Sequence, residues 1–163
     1  MLSEGKKAPL EVEVLDGKGQ TVRLKERLGK PVVIYFYPKD DTPGCTKEAC
    51  SIRDVKEEFD MLGVSVIGVS KDSSTLHQKF IAKYKLPFEL WSDSEHKLME
   101  AFGVWQKKKF MGREYMGTAR STFFLDQEGI IRKVWEKATP EQHGEEILDF
   151  SRMFMGDFVH NKK

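Results

Sequence analysis

The side chains best suited to chemistry are two cysteines, Cys45 and Cys50, the only two in the chain. They lie within "YFYPKDDTPGCTKEACSIRD", Tyr35 to Asp54. A cysteine is a nucleophile as its thiolate, so the surroundings must favour an anion. Asp40, Asp41 and Thr42 are candidate caps for a following helix, and Pro43 suits its first turn. Cys45 then sits among backbone N–H groups that have no helical acceptor, and these donors and the helix dipole favour a negative sulfur. An ordinary thiol, with a pKa of about 8.5, is roughly 3% ionised at pH 7, and becoming mostly thiolate takes about 3.4 kcal/mol. A helix N-terminus supplies about 0.3–1 kcal/mol and at most about 2. Asp40, Asp41 and Glu48 would oppose it if they were close. A cation beside the sulfur is therefore required, worth up to about 4 kcal/mol at about 4 Å. Nothing in the spacing selects it from the 27 lysines and arginines.

Cys50 adds a geometric constraint. Five helical residues advance about 7.5 Å and turn about 500°, so the two side chains point roughly 140° apart. A disulfide needs Cα atoms within about 6.8 Å. Two readings stay open. Either Cys50 is a buried structural thiol and Cys45 is incidental, or Cys45 is oxidised, the first turn unwinds and the two sulfurs bond. The Pro- and Gly-containing start of the helix favours the second, because it is easily remodelled.

The elements that must position these thiols follow from periodicity. "LEVEVLDGKGQTVRL" alternates apolar and polar residues about Gly17 and Gly19 and predicts a hairpin. Its GxG precedes a strand and lacks a third glycine, so it is not a dinucleotide fingerprint. "PVVIYFY", Pro31 to Tyr37, predicts a central strand buried on both faces. From Thr42, with Ala49, Ile52, Val55 and Phe59 on one face, a helix is expected to run to Gly63. A strand over 64–70 follows, then a serine-capped helix with Leu76, Phe80, Ile81 and Tyr84 inward, a short strand at "PFELWSD" and a short helix ending at Gly103. Residues 104–118 read as a loop that contains the run Lys107–Lys109, expected to be solvated. "RSTFFLDQEGIIRKVW" predicts a second hairpin, and a last helix is expected from Thr139, with Pro140 in its first turn, to about Met155. Strands alternating with helices predict an α/β fold with a mixed central sheet flanked by helices. Ligands of such sheets bind at the carboxyl ends of strands, where Pro38–Cys45 lies.

Composition bounds the function class. The length, 163 residues, fits a single domain over 1–163. Lys and Arg number 27 against 26 acids, a balance that argues against a nucleic-acid surface. No apolar run reaches the roughly 20 residues of a membrane span, and the N-terminus resembles neither a signal nor a transit peptide, so a cytoplasmic location is expected. Two cysteines are too few for a disulfide scaffold or a four-ligand zinc site. His77, His96, His143 and His160 stand singly, at no metal-ligand spacing, and read as surface or helix-flank residues. Trp91, Trp105 and Trp135 read as core or rim aromatics.

The segment "YFYPKDDTPGCTKEAC" resembles the active site of the peroxiredoxins, with Pro38, Thr42 and Cys45 at the positions of their Pro-x-x-x-Thr-x-x-Cys pattern. A second cysteine five residues on resembles their bacterioferritin-comigratory, or Q-type, subfamily. "RSTFFLD" matches the segment that carries the family's active-site arginine, here Arg120, and "GVSVIGVS" and "HGEEIL" also fit. The resemblance implies a thioredoxin-like fold with the peroxiredoxin N-terminal hairpin. It implies that Cys45 is the peroxidatic cysteine, attacking hydrogen peroxide or an organic hydroperoxide and becoming a sulfenic acid. Arg120 would be the missing cation. Thr42 would hydrogen-bond the peroxide, the N–H groups of Cys45 and Gly44 would hold developing charge, and Pro38 would shield the site. Cys50 would be the resolving cysteine, which selects the unwinding reading, and thioredoxin or a similar dithiol would reduce the disulfide. The resemblance implies no metal, haem, flavin or other cofactor, and often a monomer. A peroxide-sensing redox switch using the same disulfide is the alternative. A thioredoxin-type disulfide oxidoreductase fits less well, because CTKEAC is not CxxC.

Overall fold

The structure, a computed structural model, describes residues 1–161, with side chains described through 156. His160 and the last two residues lie outside the side chains so described. A seven-stranded mixed sheet has the order β2-β1-β5-β4-β3-β8-β9. Its strands are β1 (Val14–Leu15), β2 (Thr21–Val22), β3 (Val32–Phe36), β4 (Ser65–Ser70), β5 (Glu89–Ser92), β8 (Ser121–Leu125) and β9 (Ile131–Trp135). The β3, β4 and β5 strands are parallel, while β8 and β9 continue antiparallel beyond β3. The predicted N-terminal hairpin forms, shortened to two residues per strand, and β1 joins the sheet edge through Leu15 and Ser92.

The continuous apolar run of β3 is central, as its composition predicts. Val32, Ile34 and Phe36 enter the core on one face, with Leu98, Met99 and Phe102 of α4 (Lys97–Phe102). Val33, Tyr35 and Tyr37 enter the opposite core, with residues of α1 (Pro43–Asp54), α2 (Lys56–Leu62), α3 (Ser74–Tyr84) and α5 (His143–Asn161). The period-2 alternation of a strand thus places Tyr35 and Tyr37 on the face that carries Cys45.

Four expectations are corrected. The helix read as continuous to Gly63 is two helices, because Val55 leaves helical geometry (φ −116°, ψ 11°) and its N–H donates to Ile52 O in a tighter turn. In α3 the inward seat belongs to His77, fully buried, while Leu76 is exposed. The segment read as a loop is a two-stranded hairpin, β6 (Trp105–Phe110) and β7 (Arg113–Thr118), which carries Lys107–Lys109 on a strand. Its turn places Met111 (φ 51°) and Gly112 (φ 80°) in the left-handed region. That is a type I′ geometry, normally signalled by Asn-Gly rather than Met-Gly. Finally, α5 starts at His143, not Pro140. Thr139–Gln142 is a preceding turn, and the Gly144 N–H donates to Ser51 Oγ at 3.1 Å, docking α5 on α1.

Candidate active site

The first turn of α1 forms at the carboxyl end of β3. The first intrahelical bond runs from Thr46 N to Thr42 O at 2.8 Å. Pro43 has no N–H, so the Gly44 and Cys45 N–H groups are left without helical acceptors. Thr42 is the N-cap, yet its hydroxyl donates to Lys39 O at 2.9 Å instead of capping. Its remaining lone pairs are therefore free to accept. Pro38 is half-buried where the chain leaves β3.

Cys45, Glu48, Ala49 and Ile52 form the buried stripe of α1, at i, i+3, i+4 and i+7 spacing. Arg120, just before β8, enters this stripe across 75 residues of sequence. Its Nη2 donates to Cys45 Sγ at 3.2 Å and its Nη1 to Glu48 Oε1 at 2.8 Å. The cation that the first-turn argument requires is thus beside the sulfur. Burial works against the Arg120 charge, but Glu48 and Cys45 outweigh it and raise its pKa. Glu48 is fully buried, and burial pushes its carboxyl up to about 7 although Arg120 pulls it down. Its Oε2 and the Tyr35 hydroxyl have no hydrogen-bond partner among the described residues. Burial, with Glu48 and Cys45 next in order, holds the Tyr35 phenol well above its ordinary value, so it stays neutral.

Arg120 approaches Gly44 closely. A Cβ there would lie 3.3 Å from Arg120 Nη2. Outside the thiol, Gln106, Lys108, Ala119, Arg120 and Lys137 help line a cavity of about 570 Å³. Burial and the nearby Arg120 lower the pKa of Lys108, so this residue of the basic run is not simply solvated.

Cys50 is half-buried and Cys45 buried, both as free thiols with α1 intact. The structure therefore shows the helix closed, the state in which the two side chains diverge.

The structure brings Pro38, Thr42, Gly44, Cys45 and Arg120 together at one end of the sheet. It corrects the reading of the acidic pair. Asp40 is buried and does not cap α1. It accepts from Tyr37 Oη at 2.5 Å and contacts His77 Nδ1 at 2.6 Å. Asp41 is exposed but held by Lys83 and Tyr84 of α3. Two histidines read as surface or flank residues, His77 and His143, are fully buried. His143 Nε2 meets Thr122 Oγ1 at 2.6 Å, and burial, with Arg120 assisting, lowers its pKa to about 4. Glu48 went unassigned as a site residue, although a carboxylate three residues from Cys45 on an apolar helix stripe is a readable signal.

The AhpC/TSA family model matches residues 5–134. Peroxiredoxin Bcp of Bacillus subtilis is 52% identical over 144 residues, covering 88% of this chain and 91% of that protein. Among solved structures, Xanthomonas campestris bacterioferritin comigratory protein, studied for its alkyl peroxide reduction activity, superposes with a TM-score of 0.88 at 33% identity, covering 94% of this chain and 99% of its own. Xanthomonas campestris peroxiredoxin Q superposes with a TM-score of 0.85 at 36% identity, covering 90% of this chain and 92% of its own. With an arginine donating to the buried first-turn thiol of a thioredoxin-like sheet, this chain belongs to the AhpC/TSA family and, within it, to the Bcp/Q-type peroxiredoxins.

Proposed function

We propose that the chain is one domain acting as a thiol peroxidase, with Cys45 as its peroxidatic residue. The carrying observation is the 3.2 Å contact of Arg120 Nη2 with Cys45 Sγ at a helix N-terminus. The Cys45 thiolate attacks the terminal oxygen of a hydroperoxide. An S–O bond forms, the O–O bond breaks, and the leaving oxygen takes a proton to depart as water or an alcohol. Thr42 Oγ1, its own proton committed to Lys39 O, accepts the peroxide O–H and orients the substrate. Arg120 and the Gly44 and Cys45 N–H groups stabilise charge that builds on the peroxide oxygens. Pro38 screens the sulfur from water.

Cys50 then resolves the sulfenic acid. Its thiolate attacks the Cys45 sulfur, a disulfide forms and water leaves. The divergent side chains of intact α1 require the first turn to open for this step. A thioredoxin-like dithiol reduces the disulfide. Hydrogen peroxide and organic hydroperoxides are the proposed substrates. No cofactor is needed, because the two thiols carry both electrons. The protein is proposed to work as a cytoplasmic monomer. Among the described residues no helix is long and apolar enough to cross a membrane.

The test is NADPH consumption by a thioredoxin system with peroxide. Wild type should turn over and Cys45→Ser should not. Cys50→Ser should consume one equivalent of peroxide and then stall or overoxidise. Turnover by Cys45→Ser would refute the reading, and wild-type cycling by Cys50→Ser would remove Cys50 from the resolving role. Fast oxidation with little turnover would point instead to a redox switch.

A further inference from the structure

The loop between β3 and α1 is fastened to α3 at two consecutive residues, and one fastening carries an unusual proton count. His77 Nε2 lies 2.9 Å from the Trp91 carbonyl oxygen, which only accepts, so this nitrogen bears hydrogen. His77 Nδ1 lies 2.6 Å from Asp40 Oδ2. A neutral ring protonated on Nε2 would set the Nδ1 lone pair against a carboxylate oxygen. The other oxygen, Oδ1, already accepts from Tyr37 Oη, whose phenol burial keeps protonated. Contact at this distance therefore requires one further proton between Asp40 and His77.

The surroundings are equally committed. The Asp40 N–H donates to Asp72 Oδ2 at 2.8 Å, and Ser70 Oγ donates to the same oxygen at 2.7 Å. Asp40, His77 and Asp72 are all buried. Above them Lys39, Asp41, Lys79 and Lys83 rim a cavity of about 330 Å³. Asp41 lies between this anchor and the N-cap Thr42 with φ 55°, a left-handed conformation that most non-glycine residues avoid and that aspartate tolerates. Lys83 Nζ at 2.7 Å and Tyr84 Oη at 2.8 Å hold it there. The backbone entering Thr42 is thus set by groups on α3 and not by a cap of α1.

We propose that Asp40 and His77 are positioning residues for the reaction at Cys45: a proton shared between them fastens the loop to α3 and fixes where the Thr42 hydroxyl stands. This rests on the thiol-peroxidase reading of Cys45. The pair touches neither the sulfur nor Arg120. Its loss misplaces the group that orients the peroxide while the cation beside the thiolate remains. Misplacement of an orienting group by about 1 Å costs on the order of 100-fold in rate.

The experiment pairs a spectroscopic and a kinetic readout. With ¹⁵N-histidine labelling, wild type should show a downfield, slowly exchanging proton at His77 Nδ1 near pH 6.5. Asp40→Asn should lose it, because an amide Nδ2 then donates to Nδ1 while its oxygen still accepts from Tyr37. In stopped flow, Asp40→Ala and His77→Ala should slow peroxide reduction roughly 10- to 100-fold. Iodoacetamide alkylation of Cys45 should stay within about twofold, since Arg120 is untouched. Asp40→Asn should recover at least about tenfold over Asp40→Ala, because it restores the bond without the proton. A wild-type ring with no proton at Nδ1, equal slowing of both reactions in His77→Ala, or no gain of Asp40→Asn over Asp40→Ala would each overturn the inference. If His77→Ala does not fold, the two Asp40 variants still decide. A wild type inert to peroxide would sink the peroxidase reading and leave the shared proton standing. A reactive wild type with an unaffected His77→Ala would sink only the present inference.

Discussion

Replacing Glu48 by glutamine should stabilise the reduced protein, and only at neutral to alkaline pH. Glu48 is fully buried, with one oxygen held by Arg120 Nη1 at 2.8 Å and the other unpartnered. Burial, only partly offset by Arg120, leaves its carboxyl raised from 4.5 to about 7. A difference of that size corresponds to about 3 kcal/mol. A carboxyl whose pKa is raised on folding favours the fold while protonated. That contribution is full below pH 4.5 and is lost as pH rises to about 7.

Glu48→Gln keeps the shape and an acceptor for Arg120 but cannot ionise. Near pH 4.5 the two proteins should unfold with similar free energies. At pH 8 the glutamine variant should be more stable by up to about 3 kcal/mol. Urea unfolding of the reduced proteins at the two pH values measures the gap. A gap that does not change with pH, or a variant less stable at pH 8, would show that pairing with Arg120 outweighs burial and refute the reasoning.

Three further outcomes follow from the same geometry. Arg120→Ala should slow peroxide reduction by on the order of 100-fold and move the curve of Cys45 alkylation against pH to higher pH; an unmoved curve would remove Arg120 from the electrostatics. Gly44→Ala places a Cβ 3.3 Å from Arg120 Nη2, so it should slow peroxide reduction several-fold. The same change should raise unfolding free energy by about 0.4–1 kcal/mol, because it restricts the unfolded chain at a helical position; stopped flow and urea melts must therefore move in opposite senses. Gly144→Ala would put a Cβ 2.2 Å from Ser51 O, which is backbone and cannot step aside. Thermal or urea unfolding should show a loss of about 1–3 kcal/mol, and an unchanged midpoint would mean that α5 does not dock on α1 so closely.

Local patterns made most elements legible. The unbroken run of β3, the Ser73 cap of α3 and the glycines at 63 and 103 each act within a few residues, and each marks its element in the structure. Long-range pairings had no such local signal. Arg120 was placed at Cys45 by resemblance, because no spacing rule links residues 75 apart. Asp40 looked like a cap because acids commonly cap helices, but a buried histidine 37 residues away claims it instead. His77 looked like a surface residue because polarity, not partnership, is what a sequence displays. The Met111–Gly112 turn hid a hairpin because its first left-handed residue has a long apolar side chain.

Glu48 also ties the stability argument to resolution. It lies between Cys45 and Cys50 on α1 and is buried while the helix is intact. Under the proposed mechanism, opening that turn lets Cys50 reach the sulfenic acid and returns Glu48 to water, where its carboxyl ionises at its ordinary pKa. Opening therefore releases a proton between pH 4.5 and about 7 and becomes easier as pH rises through that window. The strain of the buried carboxylate is relieved in the state that forms the disulfide. Disulfide formation, followed by intrinsic fluorescence after a peroxide pulse, should accelerate more steeply from pH 5 to pH 8 in wild type than in Glu48→Gln. The two proteins differ only at residue 48, so the difference in slope isolates Glu48. Equal slopes would mean that Glu48 stays buried when the sulfurs bond, and that α1 opens by less than the turn between them.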